Sequence, residues 1–365
     1  MADLPRLVRL EARRLSSGTA RSTLTWAPTW AAAVALALAA GAWSASWAPH
    51  PVFQWVNAFT AYFYLPAYAI AVLAFWRRRR ALAAVSSAIV CWHVAVVTPT
   101  LMPASQGQSA AESAAAAVKA AREAAPLRVF YANVGKENRN YQGLFEEVRR
   151  AAPDVLVLTE FTEAWHNAFN HADLLVDFPN HIHLAKYNPA ATGVYSRYPL
   201  SHDDRVYQAK RVVVRTRVEY GVGLDIYAIH APRPVRSPLH KYDEFWSLLR
   251  SELQPQVVDG PMLLVGDFNA TPYSLIYRSL TAGARLRDCH VLTGRGAATT
   301  WPNGTRWMPP IRIDHALVSP SVYCVTASEG IGAGSDHKPL ILDLVPLLRP
   351  ARGVAIRSGS VQQAR

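Results

Sequence analysis

The chain has 365 residues and a formal net charge of +12, enough length for one large or two modest domains. The surplus is uneven: Met1–Ala125 carries 11 Lys and Arg against 4 Asp and Glu, Pro126–Leu348 carries 23 against 22, and four more Arg follow Leu348. A near-neutral folded region gives no support to a general polyanion-binding surface, and three cysteines exclude a dense disulfide framework.

Residues 1–26 form a basic segment containing Arg6, Arg9, Arg13, Arg14 and Arg21. Three apolar stretches follow within residues 27–102, roughly Ala27–Trp47, Trp55–Trp76 and Ala81–Leu101, and none contains Asp, Glu, Lys or Arg. Each approaches the ~20 residues that cross a bilayer as a helix. Trp43 and Trp47 near the end of the first, and Trp55 and Trp76 flanking the second, suit the headgroup interface. The run Arg77-Arg78-Arg79-Arg80 separates the second and third stretches, while the connection around His50–Gln54 has no Lys or Arg. The positive-inside rule then places the N-terminus and the Arg turn in the cytoplasm, and three crossings of the cytoplasmic membrane leave everything after Leu101 outside. His93 stands alone in the third stretch, so a helix–helix hydrogen bond is expected of it rather than chemistry.

Residues 103–125 are Ala-rich and suit a linker or stalk, because Ala has the lowest helix cost. Residues 126–348 alternate short Val/Ile/Leu runs with helical patterns. Strands are expected at Arg128–Asn133, Val155–Glu160, Gly193–Ser196, Arg211–Val218, Leu224–His230, Met262–Asp267, Ile313–Val318 and Pro339–Val345, and helices at Tyr141–Ala151 and His240–Leu253. The mixture reads as α/β, and the tight spacing within Arg211–His230 excludes an all-parallel sheet. Two packed mixed sheets covered by helices, a four-layer α/β sandwich, are expected, followed by a disordered tail over residues 349–365. Cys289 and Cys324 read first as apolar residues, with a bridge between them open to a domain in an oxidising compartment.

Several apolar runs stop at a chemically competent side chain. Leu156-Val157-Leu158-Thr159 ends at Glu160, Ala228-Ile229 at His230, and Leu263-Leu264-Val265-Gly266 at Asp267-Phe268-Asn269. Strand ends hold groups rigidly enough for chemistry. Gly266 permits close backbone approach, and in an extended segment Asp267 and Asn269 would face the same way. Asp336 and His337 are adjacent, so a distant acid is needed to orient the imidazole, and Asp314 is the candidate. Each signal alone has a bland alternative, a turn or a solvated strand end. Together, carboxylates, amides and two imidazoles suit in-line attack of water on a phosphoester, with oxygen ligands of the kind Mg²⁺ or Mn²⁺ prefers. Zinc-finger spacing, a P-loop and Gly-x-Ser-x-Gly are all absent.

Read in order, Asn133, Leu158-Thr159-Glu160, Thr192–Leu200, Ile229-His230, Gly266-Asp267-Phe268-Asn269, Arg312-Ile313-Asp314-His315 and Gly334–Leu340 resemble the endonuclease/exonuclease/phosphatase superfamily, with its deoxyribonuclease-I-like fold. The membrane portion makes the chain similar to membrane-anchored bacterial members. The resemblance implies Glu160, Asn133 and Asp336 as metal-side residues. It implies Asp267 as the residue that orients or deprotonates water and Asn269 as a phosphate donor. His230 and His337 become the catalytic imidazoles, and Asp314 the acid that orients His337. Arg312, bordering Asp314, is the candidate substrate contact, and His315 faces away from the site. Tyr195, Trp301 and Trp307 read as packing. The substrate class stays open between nucleic acid, lipid headgroup and small metabolite. The alternative reading is a catalytically silent binding or assembly module of the same fold, and no protein partner is inferable.

Overall fold

The computed structural model describes residues 26–46, 51–102, 125–184, 191–208, 211–234, 239–282 and 285–347. The expectations for the basic N-terminus up to residue 25, for the linker at 103–124 and for the tail at 349–365 lie outside the described residues.

Two six-stranded sheets form the domain, ordered β11-β12-β1-β2-β4-β3 and β5-β6-β7-β8-β10-β9. The first contains β1 (Leu127–Asn133), β2 (Val155–Thr159), β3 (Asn180–His183), β4 (Thr192–Ser196), β11 (Val322–Glu329) and β12 (Leu340–Pro346). The second contains β5 (Leu200–Gln208), β6 (Arg211–Val218), β7 (Leu224–His230), β8 (Met262–Asp267), β9 (Arg287–Asp288) and β10 (Asp314–Val318). Among the described residues, only β1–β2 and β7–β8 pair in parallel. A parallel pair needs a crossover connection, and the helices Tyr141–Ala151 and Leu239–Asp259 supply the two. The first crossover helix is capped by Asn140, whose side chain accepts the Gly143 N–H at 3.2 Å.

Both faces of the central strands are buried, which is why they read as unbroken apolar runs. Val129 and Tyr131 of β1 and Leu263 and Val265 of β8 point into the core between the sheets. Phe130 and Ala132 meet the outer helices over the first sheet, and Met262 and Leu264 those over the second. The result is the expected four-layer α/β sandwich. Its inward face is set by period-two alternation, so Asn133, Thr159, His230, Asp267 and Asp314 all continue inward-facing rows. Cys289 and Cys324 are joined as a disulfide rather than lying free, and tie the helix Cys289–Leu292 beside the second sheet to β11 of the first.

The apolar region contains α1 (Trp26–Ser44), α2 (Pro51–Ala58), α3 (Thr60–Phe63), α4 (Leu65–Trp76) and α5 (Arg80–Leu101). Two helices, α1 and α5, are long and apolar enough to cross a membrane, and a third span results if the bent pair Val52–Ala58 and Thr60–Trp76 counts as one. That pair departs from the continuous helix expected over Trp55–Trp76, because it bends by 80° around Phe59. Side chains occupy the backbone acceptors there: the Thr60 hydroxyl bonds the Asn57 carbonyl at 2.9 Å, and His93 Nε2 meets the Thr60 carbonyl at 3.0 Å. His93 Nδ1 also pairs with the Tyr68 hydroxyl at 3.0 Å, the interhelical bond expected of it.

The helices meet the domain at one end of the bundle. Trp43 Nε1 donates to the Tyr273 carbonyl at 2.8 Å, Thr100 and Tyr273 share a hydroxyl contact at 3.1 Å, and the Tyr62 hydroxyl donates to the Pro310 carbonyl at 2.7 Å. The Arg278 guanidinium stacks on Trp43, 3.8 Å from its ring centre.

Candidate active site

The inward-facing rows end together at one edge of the sandwich. Asp267 closes β8 beside His230 of β7, and Asp314 opens β10 on its other side. Gly266 makes the tight pairing feasible, because a Cβ there would lie 2.0 Å from the Ile229 carbonyl oxygen. Asn133 ends β1 and donates from Nδ2 to Asp267 Oδ2 at 3.2 Å, joining the two sheets. Ser335 fastens the last loop: its hydroxyl donates to the Asn133 carbonyl at 2.7 Å and accepts the His337 N–H at 3.1 Å.

Glu160 follows β2 in the left-handed region, with φ of 55°, a conformation that a non-glycine residue adopts only when its surroundings enforce it. Its carboxylate accepts the Lys136 N–H at 3.0 Å. The other oxygen lies 3.7 Å from His230 Nε2 and 3.4 Å from Arg233 Nη2. His230 Nε2 is also 3.6 Å from Asp267 Oδ2.

His337 Nδ1 bonds Asp314 Oδ2 at 2.8 Å, and Tyr131 donates its hydroxyl to Asp314 Oδ1 at 3.0 Å. The opposite ring nitrogen points toward Asp267, 3.9 Å away. All three groups are essentially solvent-free. Burial favours a neutral ring, yet the Asp314 carboxylate and then Asp267 outweigh it and hold His337 up at about 10. Burial likewise pushes Asp267 up to about 7, against the pull of His337 and with the help of Asp314. The site therefore pairs an imidazole that stays protonated with a carboxyl that titrates near neutrality.

Asp267, Asp314 and His337 present ligand atoms within 4.8 Å of one another. Asp314 is bonded to Tyr131 and to His337, and the bond to the imidazole makes this trio read better as a proton-handling row than as a cation cage. The side-chain oxygens of Glu160 and Asn133 are the hard donors suited to Mg²⁺ or Mn²⁺, and the longer contacts of Glu160 Oε1 leave that oxygen room for a cation.

Three expected residues sit differently. Arg312 does not face the site. Its Nη1 bonds Asp288 Oδ2 at 2.6 Å within a buried cluster that includes His315. Against the cost of burial, Arg312 holds Asp288 well below the usual carboxylate range. The charge of this guanidinium is therefore paired with a buried carboxylate on the outer side of the sheet, away from His337 and Asp267. Asp336 stands exposed at the rim, where it accepts Trp301 Nε1 at 3.1 Å and lies 4.0 Å from His337 Nε2. Among the described residues its carboxylate meets these two rather than Asn133 or Glu160. Asn269 lies past the end of β8 with φ of 48°, so strand parity does not govern it. Its N–H caps Asp267 Oδ1 at 2.8 Å and its amide nitrogen donates to the Ala231 carbonyl at 3.0 Å.

His315 faces the outer layer, bonding the Ala270 carbonyl at 2.8 Å. Tyr195 is buried in the outer core, whereas Trp307 is 80% exposed and does not pack. The sequence reading missed Tyr131, Arg233 and Ser335. Tyr131 was within reach of it, being two residues before Asn133 on the same strand face. Arg233 had no signal beyond its closeness to His230.

A cleft of about 280 Å³ opens beside the site, lined on the domain side by Arg233, Asn269, Asp336 and His337 and by the apolar Pro234, Trp301, Ile311 and Ile313. Its facing wall comes from Gln54, Trp55 and Ala58 of α2 and from Phe59 at the bend. A larger cavity of about 820 Å³ between the helix ends and Tyr273–Arg278 contains none of these catalytic candidates.

The model of the Endonuclease/Exonuclease/phosphatase family matches residues 130–337. Among solved structures, a 3′ phosphatase, NExo from Neisseria, bound to a product DNA hairpin, is similar at 17% identity and a TM-score of 0.52, covering 60% of this chain and 99% of that one. Humanized D. rerio TDP2 is similar at 18% identity and a TM-score of 0.49, covering 60% and 98%. The human Nocturnin catalytic domain with bound sulfate is similar at 17% identity and a TM-score of 0.46, covering 60% and 93%. At 17% identity the likeness to NExo is one of fold. No curated protein matches the chain.

Proposed function

The chain belongs to the Endonuclease/Exonuclease/phosphatase family, and from that premise we propose that it is a membrane-anchored, Mg²⁺- or Mn²⁺-dependent phosphoesterase acting outside the cytoplasmic membrane. The observation that carries the chemistry is the meeting of Asn133, Glu160, His230, Asp267, Asp314 and His337 at one edge, with His337 held by Asp314 at 2.8 Å.

Asp267 takes the proton of the attacking water, a task suited to a carboxyl raised to about 7. The water oxygen forms a new bond to phosphorus as the bond to the leaving oxygen breaks. His337, kept protonated and aimed by Asp314, donates to a non-bridging phosphoryl oxygen, where preorganised donors act most strongly. His230, between Glu160 and Asp267, delivers a proton to the leaving oxygen. Glu160 and Asn133 hold the divalent cation, which when bound offsets charge on the phosphoryl oxygens. Asp336 guards the rim.

Two observations support the placement. The Arg77–Arg80 turn joins α4 to α5 at the end of the bundle away from the residues that touch the domain, as a cytoplasmic turn requires. The Cys289–Cys324 pair suits an oxidising compartment. A reporter fused after Leu348 should then be active only outside the cytoplasm.

The catalytic reading is tested with purified protein and bis(p-nitrophenyl) phosphate in Mn²⁺. Asp267→Ala and His337→Ala should each lower turnover by about 10²–10⁴-fold. Activity surviving both changes overturns the assignment, and no cleavage of any phosphoester by the unaltered protein favours the silent binding module.

A further inference from the structure

The cleft beside His337 lies between the domain and the bend that follows α2. The domain supplies Arg233, Asn269, Asp336 and His337 together with the apolar Trp301, Ile311 and Ile313, while α2 supplies Gln54, Trp55 and Ala58, and Phe59 stands at the bend. Trp55 and Phe59 stack with ring centres 5.5 Å apart and planes 7° apart. Val52, Trp55 and Phe59 follow the spacing of a single helix face. Val52 and Trp55 remain 58% and 39% exposed.

The position of α2 gives this face its meaning. The 80° bend turns it across the direction of α4. It lies at the same end of the bundle where Trp43 at the end of α1 and Thr100 at the end of α5 touch the domain. A short helix lying across the spans, with Val52 and Trp55 on one face and Phe59 at its end, belongs at the headgroup–acyl boundary. The polar groups Arg233, Asn269 and His337 therefore open into a cleft of about 280 Å³ whose remaining surface, Trp55 and Phe59 on one side and Trp301, Ile311 and Ile313 on the other, is apolar.

We infer that the substrate is a phospholipid presented by the surrounding bilayer, its headgroup phosphoester against His337 and Asp267 and its glycerol–acyl region against Trp55 and Phe59; this rests on the phosphoesterase reading above. Water adds to phosphorus, one ester bond to an alcohol oxygen breaks, and the proton released by water balances the one gained by that alcohol. Nucleic acid fits less well. An aromatic pair can stack a base, but a polynucleotide also needs a track of cations. Among the described residues the cleft offers one Arg, Arg233, already 3.4 Å from Glu160, in a region of 23 basic and 22 acidic residues.

The test uses the full chain reconstituted in vesicles of phosphatidylglycerol and phosphatidylethanolamine. Three further substrates are offered in solution: deacylated glycerophosphoglycerol, a single-stranded DNA oligonucleotide and bis(p-nitrophenyl) phosphate. The expected result is cleavage of vesicle phosphatidylglycerol at about 100-fold or more the kcat/KM of its deacylated form, because the apolar wall contributes only with acyl chains present. Trp55→Ala combined with Phe59→Ala should lower that ratio by about tenfold or more. The comparison on the unaltered protein stands even where the double variant fails to fold. Cleavage of bis(p-nitrophenyl) phosphate without cleavage of lipid, a ratio near unity, a ratio untouched in the folded double variant, or preference for the oligonucleotide overturns the lipid assignment and leaves the phosphoesterase reading standing. Cleavage of nothing overturns both.

Discussion

Replacing Gly266 by alanine sets a methyl group 2.0 Å from the Ile229 carbonyl oxygen and 2.8 Å from its carbon. Ordinary carbon–oxygen contacts begin at about 3.3 Å, so β7 and β8 must part by about 1 Å. Both clashing atoms are backbone, and no rotamer change relieves them. The pairing concerned runs Ile229 to Gly266 and His230 to Asp267, so the displacement falls on the 3.6 Å contact between His230 and Asp267 and on the 3.2 Å bond from Asn133. A misplacement of about 1 Å at reacting groups costs about 10²-fold in rate, and overpacking of this kind costs about 1–3 kcal/mol of stability. The assay is kcat/KM on bis(p-nitrophenyl) phosphate in Mn²⁺, with urea unfolding in parallel. Gly260→Ala is the control, since nothing lies within 4 Å of a Cβ there, and it should change neither quantity. A Gly266→Ala protein with activity within about threefold of the parent and unchanged stability would refute the argument that this close approach sets the site.

Arg312→Met strands the Asp288 carboxylate in the core. It should cost about 3–5 kcal/mol in urea unfolding while leaving KM unchanged in the folded fraction; a raised KM with stability intact would return Arg312 to the substrate. Asp314→Asn removes the carboxylate that aims His337, and should lower kcat by about 10²–10⁴-fold, with Tyr131→Phe a milder version of the same defect. His337 is raised in the folded state from 6.5 to about 10. Its stabilisation is therefore complete below pH 6.5 and lost as pH rises through about 10. In chelator, the urea midpoint should fall over that window, and His337→Gln should flatten the fall. Chelation should abolish hydrolysis and Mg²⁺ or Mn²⁺ restore it. Mn²⁺ at about 100 times its dissociation constant should stabilise the parent by about 2.7 kcal/mol in thermal unfolding, and Glu160→Gln by much less.

The chain by itself determined the elements whose burial is symmetrical. The central strands β1, β2, β7 and β8 are covered on both faces, so hydrophobicity alone marks them, and their ends carry Asn133, Glu160, His230 and Asp267 as visible interruptions. The parity of Asp314, Ala316 and Val318 likewise placed Asp314 inward and His315 outward. Edge strands were not legible: β3 and β11 expose polar residues, and β5, Leu200–Gln208, carries no such run in its sequence. Only the tertiary structure decided that Arg312 turns to Asp288, that Tyr131 holds Asp314, that Cys289 meets Cys324, and that the helix bends at Phe59 to wall the cleft. The physical reason is common to all four. Periodicity in a sequence records which face of an element leaves water, whereas the partner it leaves water for is chosen by contacts across tens to hundreds of residues.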